Sequence, residues 1–130
     1  MLDIFMDLGG WKLKESLVYN KAFKFAIRIV NLYRHLSKEK NEYTISKQLL
    51  RSGTSIGANI KEAVQSSSKK DFLMKMNIAL KEASETGYWL ELLKATDYMD
   101  VRVSELMISD CTELNAILAS IVKTTKENLM

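Results

Sequence analysis

Few residues in this chain have the types and spacing that chemistry requires. His35 is the one histidine. It falls on the polar side of a helical pattern, so neither a histidine-based triad nor a histidine-rich metal site can be assembled within one chain. Glu62, Glu82, Glu85 and Glu113 are carboxylates that helical packing could bring together. Di-iron bundles, however, combine such glutamates with Glu-x-x-His pairs, and no such pair occurs. These carboxylates are expected to pair with arginine or lysine. The serines have no adjacent base. Cys111, the single cysteine, has no partner for an intramolecular disulfide and no basic cluster to lower its pKa, so it reads as a small buried side chain in a reducing cytoplasm. No catalytic residue, metal or cofactor is therefore expected, and an enzyme using carboxylates at a subunit junction is the least favoured reading.

The affirmative signal is basic. Lys21, Lys24 and Arg28 share one segment, Lys47, Arg51 and Lys61 the next, and Lys69, Lys70 and Lys75 a third. Residues 12–81 hold 15 Lys/Arg against 5 Asp/Glu, a balance of +10, whereas residues 82–130 hold 4 against 9, a balance of −5. Two readings follow: a basic surface for a polyanion, or basic and acidic helices that meet within or between subunits. Phosphate contacts of this kind give salt-dependent binding with little sequence specificity. No recognition helix or aromatic stacking motif points to base reading. Asn59 lies close to an apolar stripe and is expected in a structural hydrogen-bond network, with Arg51 and Glu62 as members of it or of an intersubunit ion pair.

The elements that must position these residues are helices. The chain has 130 residues, no proline and five glycines, which favours uninterrupted helix over turn-rich β structure. The length suits one domain able to bury a core, and no apolar run is long enough to span a membrane. A leader over residues 1–15 precedes a four-helix bundle domain over 16–130. The sequence leaves open whether that leader is disordered or packs Leu2, Ile4, Phe5 and Trp11 on a neighbouring subunit.

The first helix, from about Ser16 to Leu36, carries Phe23, Ala26, Ile27, Val30 and Tyr33 as a core stripe, with Phe25, Ile29, Leu32 and Leu36 as a second stripe beside it. That arc is wider than one bundle core needs, so this helix is expected to contact another subunit as well. Asn41 is placed to cap a second helix reaching about Gln65, with Ile45, Leu49, Ile56, Ile60 and Ala63 inward. Gly53 and Gly57 inside it cost roughly 1 kcal/mol each relative to alanine, which close helix approach would offset. Ser68 and Asp71 form a capping-box-like start to a third helix running to about Ala95. A fourth, from Val101 or Ser104 to Asn128, turns Met107, Cys111, Leu114, Leu118, Ile121 and Val122 inward. Short links give an all-α, antiparallel up-down-up-down bundle.

The run Leu49-Leu50-Arg51-Ser52-Gly53-Thr54-Ser55-Ile56-Gly57-Ala58-Asn59-Ile60-Lys61-Glu62-Ala63 resembles the motif of the bacterial four helix bundle protein family. Ser68-Lys69-Lys70-Asp71-Phe72 and Ile78-Ala79-Leu80-Lys81-Glu82-Ala83-Ser84-Glu85-Thr86 extend the resemblance, which spans roughly residues 17–128. The family includes proteins encoded in intervening sequences of large-subunit ribosomal RNA genes, and a related accessory protein of diversity-generating retroelements partners a reverse transcriptase and RNA. The resemblance implies a homopentamer, an architectural role for Arg51, Ser55, Asn59, Glu62, Phe72 and Glu85, and no enzymatic site. Ala63 stands where the family pattern often has glycine. The expected function is a cytoplasmic homo-oligomeric scaffold contacting RNA or a ribonucleoprotein through its basic surface. The alternative is a protein-interaction module without nucleic-acid affinity.

Overall fold

The computed structural model describes the backbone of residues 9–130 and the side chains of residues 17–130. Four helices follow in order: α1 (Gly9–Lys38), α2 (Ile45–Val64), α3 (Lys69–Ala95) and α4 (Val101–Leu129). No strand occurs among the described residues. Each helix packs on the next in sequence, and α4 returns to α1 along a thinner seam, which is the up-down-up-down arrangement. Among the described residues, no helix is long and apolar enough to cross a membrane.

α1 starts at Gly9, well before Ser16. Of the leader contacts considered above, Leu2, Ile4, Phe5 and the Trp11 side chain lie outside the described residues.

The two stripes of α1 exchange the roles assigned to them. Val18, Ala22, Phe25, Ile29, Leu32 and Leu36 form the buried line, whereas Phe23 is 55% and Ile27 49% exposed. The buried line advances by three or four residues over five turns and so keeps one face toward the core. Phe23, Ala26, Ile27 and Val30 lie about one residue out of that register.

α1 and α2 approach closely at one point. A Cβ built on Gly53 would stand 2.9 Å from Cγ1 and Cγ2 of Ile29, whose branched side chain has little freedom to move aside. Gly57 differs: a Cβ there would meet Ala22 at 3.7 Å, an ordinary contact. Polar groups in the core are satisfied internally. The buried Ser52 and Thr86 hydroxyls lie 2.9 Å apart across α2 and α3, and Thr86 reaches the Glu82 carbonyl at 2.7 Å. Cys111 Sγ is 3.2 Å from the Ala83 carbonyl oxygen.

The links explain where the helices begin. Asn41 does not cap α2. It adopts a left-handed conformation with φ 54°, which asparagine tolerates, and the buried Glu42 caps instead. The Glu42 carboxylate accepts from the backbone N–H groups of Thr44 (3.3 Å), Ile45 (3.1 Å) and Ser46 (2.7 Å), while Ser46 Oγ donates to the Glu42 carbonyl at 2.7 Å. Ser68 caps α3, accepting from Asp71 N–H at 3.1 Å, and Asp100 caps α4, accepting from Val103 N–H.

Candidate interaction surfaces

Beside α1 runs a groove whose walls are Tyr19, Phe23 and Ala26 and whose other side is Thr54, Gly57 and Ala58 of α2. The Tyr19 and Phe23 rings are 6.2 Å apart between centroids, and Lys61 Nζ sits 5.6 Å from the Tyr19 centroid, within cation–π range. Thr54 Oγ1 donates to the Leu50 carbonyl at 2.7 Å and Ser55 Oγ to the Arg51 carbonyl at 2.5 Å. These hydroxyls are thus spent on their own helix, and the groove presents mainly carbon.

The charged residues fall into seams between helices. Lys21 reaches Glu113 at 3.3 Å and Arg28 reaches Asp110 at 2.8 Å, joining α1 to α4. Arg51 joins α2 to α3 by pairing with Glu85 and, at 3.3 Å, with Glu82. Trp89 Nε1 donates to the same Glu85 at 2.9 Å. The Trp89 and Arg51 hydrogen bonds hold the Glu85 carboxyl below the usual carboxylate range. Lys75 pairs with Glu62 at 2.7 Å. Each of the four glutamates weighed for chemistry therefore faces a cation, and no metal-holding group of His, Cys, Asp and Glu exists among the described residues. Burial, with Asp110 nearby, pushes the Cys111 thiol up to about 11, which leaves it a poor nucleophile at neutral pH.

The nine candidate phosphate contacts do not gather into one patch. Lys21, Arg28, Arg51 and Lys75 are engaged in ion pairs, and Lys61 lies over Tyr19. Lys24, Lys47, Lys69 and Lys70 make no ion pair among the described residues. Antiparallel packing puts Lys47, near the start of α2, at the opposite end of the bundle from Lys69 and Lys70, at the start of α3.

The family model for the 23S rRNA-intervening sequence protein matches residues 14–120, most of the chain. The chain belongs to this family. A crystal structure of a protein of unknown function from the S23 ribosomal protein family of Bacteroides thetaiotaomicron VPI-5482 is 55% identical to it and superimposes with a TM-score of 0.83, over 85% of this chain and 98% of that one. No curated protein matches.

In this chain the motif residues occupy one side of α2 and the seam it makes with α3. Arg51, Ser55 and Asn59 follow one another at single turns, and Asn59 Nδ2 donates to the Ser55 carbonyl at 2.8 Å, a local bond. Glu62 and Glu85 form the ion pairs described above, and Phe72 is buried in the core. Two features were missed by sequence reasoning. Glu42 has a readable signal, a Glu followed four residues later by Ser46 just ahead of an apolar run. The groove has none, because it depends on which α1 stripe faces inward.

Proposed function

We propose that the chain is a non-enzymatic homo-oligomeric scaffold of the cytoplasm, a pentamer as its family resemblance implies, that contacts RNA or a ribonucleoprotein through its uncommitted cations. The observation that carries the scaffold reading is the exposed Phe23–Ile27 stripe of α1 beside a groove of small residues, since helix faces of this kind are normally covered. The RNA reading is supported by Lys69 and Lys70, adjacent at the start of α3 and without an ion pair among the described residues. Repetition around an oligomer would multiply their field.

The intrachain pairing of Lys21, Arg28, Arg51 and Lys75 favours a second reading, a protein-interaction module without nucleic-acid affinity, because four of the nine candidate phosphate contacts are used in joining helices. Fluorescence anisotropy with a labelled structured RNA separates the two. For the RNA scaffold, affinity falls steeply with salt, and replacing Lys69 and Lys70 by glutamine lowers the slope of log K against log salt by about 1.5 per subunit contact pair. Binding that is absent, or indifferent to salt, contradicts it and leaves the protein-interaction module.

A further inference from the structure

The four seams of the bundle are closed by different means. Between α2 and α3 the buried Ser52 and Thr86 hydroxyls meet at 2.9 Å, and Arg51 pairs with both Glu82 and Glu85. Between α3 and α4 the buried Cys111 thiol lies 3.2 Å from the Ala83 carbonyl oxygen. Between α1 and α2 the Ile29 side chain fills the space that Gly53 leaves open. The α1–α4 seam is the thinnest of the four, and the ion pairs that cross it stand at the surface. Lys21 meets Glu113 at 3.3 Å and Arg28 meets Asp110 at 2.8 Å, with all four side chains between 36% and 54% exposed.

These pairs border a cleft of about 190 Å³ that reaches down to the buried Phe25 and Leu114. Its walls are Lys21, Lys24 and Arg28 on α1 and Asp110 and Glu113 on α4. Cations line one wall and carboxylates the other, so the charge interactions across the cleft are attractive. Lys24, which makes no ion pair among the described residues, adds to that attraction from between Lys21 and Arg28. A space between two helices forfeits dispersion contacts that close packing would supply, so charge carries a larger share of the closure here than at the other seams. Salt screens exposed pairs and does not screen buried apolar contact.

We propose that the α1–α4 seam is the opening edge of the bundle, with Lys21–Glu113 and Arg28–Asp110 as its electrostatic latch. When the pairs are screened or removed, α1 parts locally from α4. α1 stays on α2 through Ile29 and Gly53, α4 stays on α3, and the α2–α3 seam is the spine about which the two halves open. Opening uncovers Phe25 and Leu114 and frees Lys21 and Arg28 beside Lys24. Such a sub-global opening draws on the least packed part of a fold. The latch belongs to one protomer and does not depend on the self-association or RNA readings above.

The test follows labelling of full-length chains by iodoacetamide, an uncharged thiol reagent, at low and high sodium chloride. The reporter is Leu114→Cys in a Cys111→Ala background, and the control is the native Cys111, which faces α3. High salt is expected to speed reporter labelling by between about twofold and thirtyfold, the factor that two exposed ion pairs supply together. Labelling of Cys111 is expected to stay unchanged. Adding Lys21→Gln and Arg28→Gln to the reporter chain is expected to give fast labelling already at low salt and to remove most of the salt dependence. Loss of those cations cannot itself speed the thiol chemistry, since a nearby cation favours the thiolate. Lys75→Gln, which breaks an α2–α3 pair, is expected to leave the reporter rate as it was. Reporter labelling indifferent to salt, or equal acceleration at Cys111, overturns the latch. Should Leu114→Cys lose its helicity by circular dichroism, hydrogen exchange of the unmodified chain makes the same comparison. Residues 18–32 and 107–118 are then expected to exchange faster at high salt while 49–60 and 79–90 do not, and a uniform response overturns the proposal.

Discussion

The two helical glycines of α2 have opposite structural meaning although their sequence surroundings are alike. Gly53→Ala must displace Ile29 in a packed seam and is expected to lower stability by about 1–3 kcal/mol. Gly57→Ala meets only ordinary contact and is expected to raise the stability of an isolated protomer by up to about 1 kcal/mol. Urea denaturation of the two variants, under conditions where the protein is dissociated, checks the contrast. Cys111 was legible as a buried, unreactive thiol from its apolar neighbours and lack of a basic partner. Its raised pKa, about 11, predicts that the folded protein reacts with a thiol reagent at neutral pH far more slowly than the denatured chain. Equal rates would contradict this. Glu85 is the opposite case. Its pKa is lowered by Trp89, one turn further along α3, and by Arg51 of α2; the second is a contact that no local spacing encodes. A carboxyl whose folded pKa lies below its unfolded value contributes stability above roughly pH 4.3, and that contribution fades as pH falls through the folded value. Glu85→Gln should therefore lower stability by a constant amount at neutral and alkaline pH and flatten the acid limb of a stability–pH profile, so that variant and parent converge at low pH.

Helix existence was readable because proline is absent and apolar residues recur at helical spacing. Helix ends were less so. The first helix read from about Ser16, yet it already includes Gly9, and Asn41 read as a cap although its left-handed backbone places Glu42 there instead. Ser68 was legible because the capping box is a local pattern. The consequence is a difference in sensitivity. Ser68→Ala is expected to cost about 1 kcal/mol, as typical caps do. Glu42→Ala removes an acceptor serving three N–H groups, one of them buried, and is expected to cost more than Ser68→Ala. Thermal unfolding of both variants ranks them, and the reverse order would show that α2 is held by packing and not by its cap. The stripes of α1 failed for a related reason. Both have helical period, and only the positions of α2 and α4 decide which one is inside.

At the scale of the molecule, Lys21, Arg28, Arg51 and Lys75, part of the basic excess that suggested a polyanion surface, are drawn into seams between helices, whereas Lys24, Lys47, Lys69 and Lys70 make no ion pair among the described residues. The apolar excess is not resolved in that way. Phe23, Ile27, Val103 and Leu106 stand outside the buried core, and solvent opposes the apolar surface that they leave exposed on one copy. Fold and apolar excess were thus both visible in the sequence. The location of the excess was not, because it emerges only when four helices are set in place. The measurement that bears most directly on the account is the solution mass of the unmodified chain by light scattering, taken at low and high salt. Assembly through apolar faces predicts a mass several times 14.9 kDa that persists at high salt, because burial of apolar surface is not screened. A mass of 14.9 kDa at both salt concentrations would contradict it.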